Sequence, residues 1–507
     1  AKTLNYHPKR IPLIMHTRSA TSNAVVAWAP KRMEFYTTPP QDMYAQPWLE
    51  QLSLHEYRHV VQIEKLNQGP TKVISWLFGQ QGTAAILGLY VPFWFLEGDA
   101  VATETGLSRS GRGRVPEFEM RLRAQLLEEG IYSYDKATMG SYRDFIPSHY
   151  ELGYHLIAEG RRQYGAELWD HTLNRVARRP YMITPFQNGI RDITGKRKLP
   201  FYSESMMNLR SRWELQEQVS EQNILGFLSP DPYKKHYTSY RHPAYLSDSS
   251  FISMRTGIDD ITRFVVFVNG NEKILHTPGF LKQETLSYAS GKLTWLETRP
   301  DPRWTHRAYT DIKLLELKSG KLKTLRYKQR LLAPSFSEDA TRIVAVGIDS
   351  LDQYSLLIIR VDSGKIIKKI PCPGNAYPLT PAWAGDDAIL SVLVSEEGKS
   401  LVMIDLKTGE NESLIPWSFR EISQAIYHYP DVFFVGNWSG ISNIYSLDLN
   451  TREINMITAS RFGAMDPHLS PDGKRLLYAD YRSGGFRIMD LEYTRGIALD
   501  EVFDKSI

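Results

Sequence analysis

The sequence predicts a multidomain α+β protein, with a mainly helical domain over residues 1–225 followed by an all-β propeller of six blades over residues 226–507. Three observations carry this reading. Helical periodicity fills the first half and then vanishes. A strand-rich unit recurs six times in the second half. One predicted helix of the first half holds the run His55-Glu56-Tyr57-Arg58-His59.

In the helical half, residues 47–67 place apolar side chains at Trp48, Leu52, Leu54, Val61 and Ile63, and Pro47 suits a first helical position. Further helical periods cover 116–129, 148–164, 166–178 and 202–219. Two β-rich runs, 25–28 and 32–37, precede the first helix, and a small sheet leading into helices defines an α+β domain. Residues 73–96 form a run of 24 without any charge. Its length would suit a membrane span. Gly79-Gln80-Gln81-Gly82 and Pro92 interrupt it, so it reads as a buried core hairpin, and no integral membrane span is expected.

In the second half, strand-opening segments recur as His242-Pro-Ala-Tyr, Glu284-Thr-Leu-Ser, Ala333-Pro-Ser-Phe, Thr380-Pro-Ala-Trp, Gln424-Ala-Ile-Tyr and Asp466-Pro-His-Leu. Their starts fall 42, 49, 47, 44 and 42 residues apart. Units of about 40–50 residues carrying four short strands and polar turns are the signature of a propeller, and six units predict six blades. A two-sheet sandwich would not impose so regular a period.

Composition narrows the chemistry. With 42% hydrophobic and 23% charged residues and a net charge of +4, nothing points to nucleic acid as a partner. The single cysteine, Cys372, sits between prolines and reads as a half-buried structural thiol. One cysteine rules out a disulfide framework or a zinc site built on thiolates, so a metal must rely on histidine and carboxylate. The sequence opens Ala1-Lys2 with no methionine and no apolar run, so a leader is either absent or already removed.

His55 and His59, four apart on a helix, project from one face and can hold one zinc ion, while Glu56 is angled to act as general base. Glu97, in Trp94-Phe-Leu-Glu-Gly-Asp-Ala100, ends the uncharged run, and a buried carboxylate there needs a partner. Together these residues resemble the gluzincin zinc metallopeptidases, in particular the aminopeptidase-N-like domain. That resemblance implies Glu97 as third metal ligand, after the family's Asn-Glu-Gly-Phe-Ala segment. Tyr150-Glu-Leu-Gly153 is similar to the family's Tyr-Glu-Lys-Gly, which implies that the Tyr150 hydroxyl stabilises an oxyanion. Leu152 stands where the family has lysine, and Tyr154 and His155 compete for the role. The resemblance covers about residues 25–180.

Two departures matter. The stretch between His59 and Glu97 is longer than in that family, and the Gly-x-Met-Glu-Asn that binds a substrate amine is replaced by Arg32-Met-Glu-Phe35. Glu34 therefore reads as an edge-strand residue, on a strand open to a substrate backbone. Asp99 and Glu104 share the helix of Glu97 and could orient a histidine ligand. The basic run 108–114 reads as a solvated loop, and His149, His155 and His171 as structural.

The repeat resembles the TolB-like propellers, whose blades open with Pro-x-x-Ser-x-Asp-Gly, and residues 466–473 match best. This resemblance implies a periplasmic or cell-envelope location and a protein partner on the propeller. The expected function is a zinc-dependent peptidase acting on peptide or protein, with the propeller gating access or docking a partner. An envelope scaffold with a relic metal site is the alternative. A serine hydrolase carrying a propeller would need Gly-x-Ser-x-Gly, and Gly436-Asn-Trp-Ser-Gly has the wrong spacing.

Overall fold

A three-stranded sheet opens the computed structural model, which describes residues 2–217, 228–229, 236–327, 329–493 and 496–499. Its strands are β1 (Leu13–His16), β2 (Ala24–Trp28) and β3 (Lys31–Tyr36), in the order β1-β3-β2. β1 runs parallel to β3 and β2 antiparallel to it. Glu34 is therefore on the central strand and not on an edge. The four-residue β1 is too short to announce itself by alternation, and its pairing takes the side of β3 that would otherwise be open.

The helices follow. They are α1 (Trp48–Leu66), α2 (Gly69–Phe78), α3 (Gln80–Tyr90), α4 (Phe93–Leu107), α5 (Pro116–Ala124), α6 (Tyr134–Met139), α7 (His149–Tyr164), α8 (Glu167–Arg178), α9 (Pro185–Thr194) and α10 (Lys198–Glu217). Pro47 stands at the N-cap of α1, one place before the first helical position, and the Trp48 indole N–H donates 2.8 Å to the Tyr36 carbonyl, fixing the helix to β3. A π-helical turn, Gln125–Glu129, continues α5 over the rest of the span read as helix. The expected helix over 202–219 starts earlier, at Lys198; residues 218 and 219 and the expected boundary at 225/226 lie outside the described residues. The helical core is built on Trp94, Phe95, Leu156, Trp169, Phe186 and Phe201.

The uncharged run folds as the α2–α3 hairpin leading into α4, but the hairpin is not buried. Trp76 is 82% exposed, Phe78 69% and Leu89 73%. Lack of charge says only that the segment avoids nothing apolar; whether protein covers it depends on tertiary packing, and here only Thr71, Gly82, Thr83 and Ile86 of the two helices are buried. Among the described residues no single helix is long and apolar enough to cross a membrane.

Among the described residues the second half comprises six antiparallel sheets, over 238–276, 287–326, 330–371, 377–418, 422–456 (joined by Ile497–Ala498) and 464–492. The repeat seen in the sequence has a backbone cause. His242, Ala333, Thr380, Gln424 and Asp466 all have φ between 36° and 54°, and each coincides with a register shift in the first strand of its blade. A left-handed residue followed by proline or alanine makes the bulge that bends each first strand. The ring closes where Leu228 N–H donates 2.9 Å to the Ile488 carbonyl and Ile488 N–H donates to Ser229 Oγ, setting the start of this half beside the last strand of the last blade.

The two halves are joined through side chains. Gln41 Oε1 accepts from Thr380 N–H at 2.7 Å, the Tyr377 hydroxyl donates 2.9 Å to the Pro39 carbonyl, and Arg330 donates to Thr37 and Thr38. Met120 and Ala124 of α5 belong to one apolar cluster with Tyr240, Phe462 and Tyr481.

Candidate metal centre

The site is assembled by α1, α4 and α7. α1 carries His55, Glu56 and His59; α4 carries Glu97, Asp99 and Glu104; α7 carries Tyr150 at its first turn. Two glycines allow α4 and α7 to touch backbone to backbone. A Cβ at Gly98 would lie 2.0 Å from the Gly153 carbonyl carbon, and one at Gly153 would lie 1.9 Å from the Trp94 carbonyl oxygen. This explains the glycine in both motifs, Glu97-Gly98 and Tyr150-Glu-Leu-Gly153, by contact distance. The start of α7 is fixed by a capping box: Ser148 N–H donates 2.8 Å to Glu151, whose carboxyl burial pushes up to about 7.

Three donor atoms converge. His55 Nε2 lies 3.2 Å from Glu97 Oε2, His59 Nε2 lies 3.4 Å from the same oxygen, and the two Nε2 atoms are 3.2 Å apart. Ligands held at zinc distances around a tetrahedral ion lie about 3.4 Å from one another, so the triangle fits such an ion without rearrangement. Burial would raise the Glu97 pKa, but both histidines hold it well below the usual carboxylate range. Burial likewise opposes charge on His59, and Glu97 outweighs it, raising that pKa.

Each outer ring nitrogen meets a partner outside the triangle. His59 Nδ1 lies 2.9 Å from Gln62 Oε1, and Gln62 in turn donates 2.9 Å to both Asp99 and the Leu96 carbonyl. His55 Nδ1 lies 3.0 Å from Glu104 Oε2 and 2.6 Å from Arg112 Nη2; the carboxylate calls for a proton on Nδ1 and the guanidinium for a lone pair there. Both Nε2 atoms thereby face inward, with the outer nitrogens held from behind. Asp99 is fully buried and accepts from Arg58 at 2.6 and 2.9 Å and from Arg161 at 2.5 Å, tying α1, α4 and α7 together. Burial works against its ionisation, but the two guanidinium groups lower its pKa. Glu104, held down to about 2 mainly by Arg112 against the effect of burial, also accepts from that arginine at 2.6 and 2.9 Å.

Glu56 is buried beside the triangle and takes no hydrogen bond from the described residues; burial raises its pKa, and His59 and His55 partly offset this. The Tyr150 ring centroid lies 6.0 Å from that of His55, and burial with the Glu97 charge raises its pKa. Tyr154 and His155 turn elsewhere: the Tyr154 hydroxyl donates to the Gly113 carbonyl, and His155 packs edge-on to Trp213, its pKa pushed down to about 3 by burial. His171 pairs with Asp192 and His149 packs on Phe93.

Sequence reasoning missed two members of the site. Gln62, three residues beyond His59, was recoverable as the helical neighbour able to accept from its ring. Arg112 was placed in a solvated loop. It is instead drawn back onto Glu104 and lies 5.1 Å from the Tyr150 ring centroid, while Arg114 donates to the Ser110 carbonyl, so the basic run folds against the end of α4. Cys372 is buried, not half-buried, and burial pushes its thiol up to about 12. A second cluster, His16, Glu34 and His306, also brings potential ligand atoms together. Its atoms are already engaged: Glu34 binds His16 at 2.8 Å and Arg32 at 2.5 Å, and Tyr36 binds His306 at 2.7 Å.

Comparison with known proteins bears on the propeller. No family model matches the chain. A protein TolB homolog of Chlorobium luteolum is 41% identical over 63 residues, 12% of this chain and 14% of that protein. The TolB homolog of Chlorobium chlorochromatii is 24% identical over 172 residues, 30% of this chain and 39% of that one. The chain thus spans well under half the length of these curated relatives. Among solved structures, TolB from Acinetobacter baumannii aligns with a TM-score of 0.35 at 14% identity, over 52% of this chain and 67% of that one. The protein joins a helical α+β region to a β-propeller, and that propeller is TolB-like.

Proposed function

We propose that the protein is a zinc-dependent peptidase whose centre is held by His55, His59 and Glu97. The observation that carries the reading is the triangle of ligand atoms, 3.2–3.4 Å on each side, with the outer ring nitrogen of His59 on Gln62 and that of His55 on Glu104 and Arg112. Bound zinc supplies Lewis acidity that makes water a nucleophile near neutral pH. Glu56 takes the proton from the attacking water at its carboxylate, and its burial raises its basicity for that task. The same carboxyl then returns the proton to the leaving amine. The Tyr150 hydroxyl donates to the oxyanion that develops on the scissile carbonyl. Glu34, paired with His16 and Arg32, offers no free carboxylate to a substrate amine, which favours cleavage within a chain over removal of its first residue.

The propeller touches the helical half near this site. Glu421, in the connection between the fourth and fifth blades, accepts from Ala45 N–H at 2.9 Å and contacts Ser110, two residues before Arg112. Extended substrates are thereby gated by the propeller rim. A TolB-like propeller suits the cell envelope and a protein partner. The test is metal content and digestion of a peptide library. About one zinc per chain, with cleavage abolished by a chelator and restored by zinc, is the expected result. Zinc without any cleavage would favour the scaffold reading, and absence of zinc affinity would end both.

A further inference from the structure

The α2–α3 hairpin carries a surface that the peptidase reading leaves unused. Between Lys65 and Glu97 the sole charged residue is Lys72. Within that stretch Val73 (57% exposed), Trp76, Leu77 (61% exposed), Phe78 and Leu89 all face outward. Lys72 and Trp76, like Val73 and Leu77, are four apart on α2, so one helical face combines a cation with an aromatic and apolar row. Apolar patches of this kind on a protein surface mark a contact site. The chemistry around it selects the partner. Gly69, at the start of α2, lies against Arg178, and Thr71 donates 2.8 Å to the Ala177 carbonyl, which brings exposed Arg178 and Arg179 beside the hairpin. Three cations, no acidic residue in either helix, and a Trp-Leu-Phe tip describe an element that lies in a lipid headgroup layer.

We propose that the hairpin docks this protein peripherally on an anionic lipid bilayer, with Trp76, Leu77 and Phe78 inserted among the headgroups and Lys72, Arg178 and Arg179 against the phosphates. Its two helices are short and joined at Gly79, where φ is +65°, so the tip enters the headgroup layer without crossing it. The inference stands independently of the zinc reading. The test is flotation of the full chain with vesicles of equal parts phosphatidylglycerol and phosphatidylethanolamine, beside vesicles of phosphatidylcholine alone. Binding to the anionic vesicles, weakened by salt, is expected. The combined change Trp76→Ser, Leu77→Ser and Phe78→Ser should lower it by about a hundredfold. These side chains are exposed, so the variant's melting temperature should match the parent's. Because Cys372 is buried, Leu77→Cys can carry an environment-sensitive dye, whose emission should shift to the blue on the anionic vesicles. No association with either vesicle overturns the proposal. So does a dimer in solution that the triple change abolishes, since a second copy would then cover this face.

Discussion

At the residue scale, each histidine of the triangle is held from behind by partners on its outer ring nitrogen. Gln62 is the most informative of these, because it holds His59 without being one of the three proposed ligands. Gln62→Leu should weaken zinc affinity by about 10- to 100-fold while leaving the helix intact. Competition with a chelating dye measures this, and unchanged affinity would show that Asp99 and Gln62 serve only packing. His55, Glu56, His59, Glu97 and Tyr150 can be named as candidates from the sequence because each stands in a local motif. Gln62 and Arg112 are not so marked, because their roles arise from side-chain contacts that a linear pattern does not encode. Arg112 shows this most clearly, since a run of arginines and glycines reads as solvent-exposed until Glu104 is placed beside it.

At the element scale, the crossing of α4 and α7 at Gly98 and Gly153 sets where Glu97 and Tyr150 stand relative to α1. Backbone opposes backbone there, so an added methyl cannot be relieved by a rotamer change. Gly153→Ala should destabilise the fold by at least about 1–3 kcal/mol and weaken zinc binding along with it. Denaturant unfolding with and without zinc separates the two effects; a variant of parental stability would mean that the helices can part freely. Of the ten helices among the described residues, α1, α5, α7, α8 and α10 were legible from periodicity, and the shorter α6 and α9 were not. The central position of β3 was not, since β1 pairs with it in parallel across a long connection. The exposure of the α2–α3 hairpin was hidden for a different reason: an uncharged sequence looks the same whether protein covers it or not.

At the scale of the whole molecule, the propeller was legible because a bulge recurs in five of its six blades, and Asp466 shows what that bulge can hold. Its carboxylate accepts from Arg241, from His242 N–H at 3.1 Å and from Gln424 at 2.8 Å, joining the first, fifth and last blades. Burial would raise its pKa, but Arg241 and His242 hold it well below the ordinary aspartate value of 3.8. A depressed carboxyl stabilises the fold above its unfolded pKa, and that stability is lost as pH falls towards the folded pKa. Asp466→Asn should therefore cost about 3–5 kcal/mol near neutrality. The difference from the parent protein should shrink as pH drops from about 5 to about 3. Thermal unfolding across that range checks both the size and the sign. The arrangement of site and propeller gains meaning only if the centre is catalytic, and Glu56→Gln tests that most directly. Glu56 is no part of the ligand triangle, so the variant should keep zinc at the parental stoichiometry and lose peptide cleavage. Parental cleavage by the zinc-loaded variant would contradict the account.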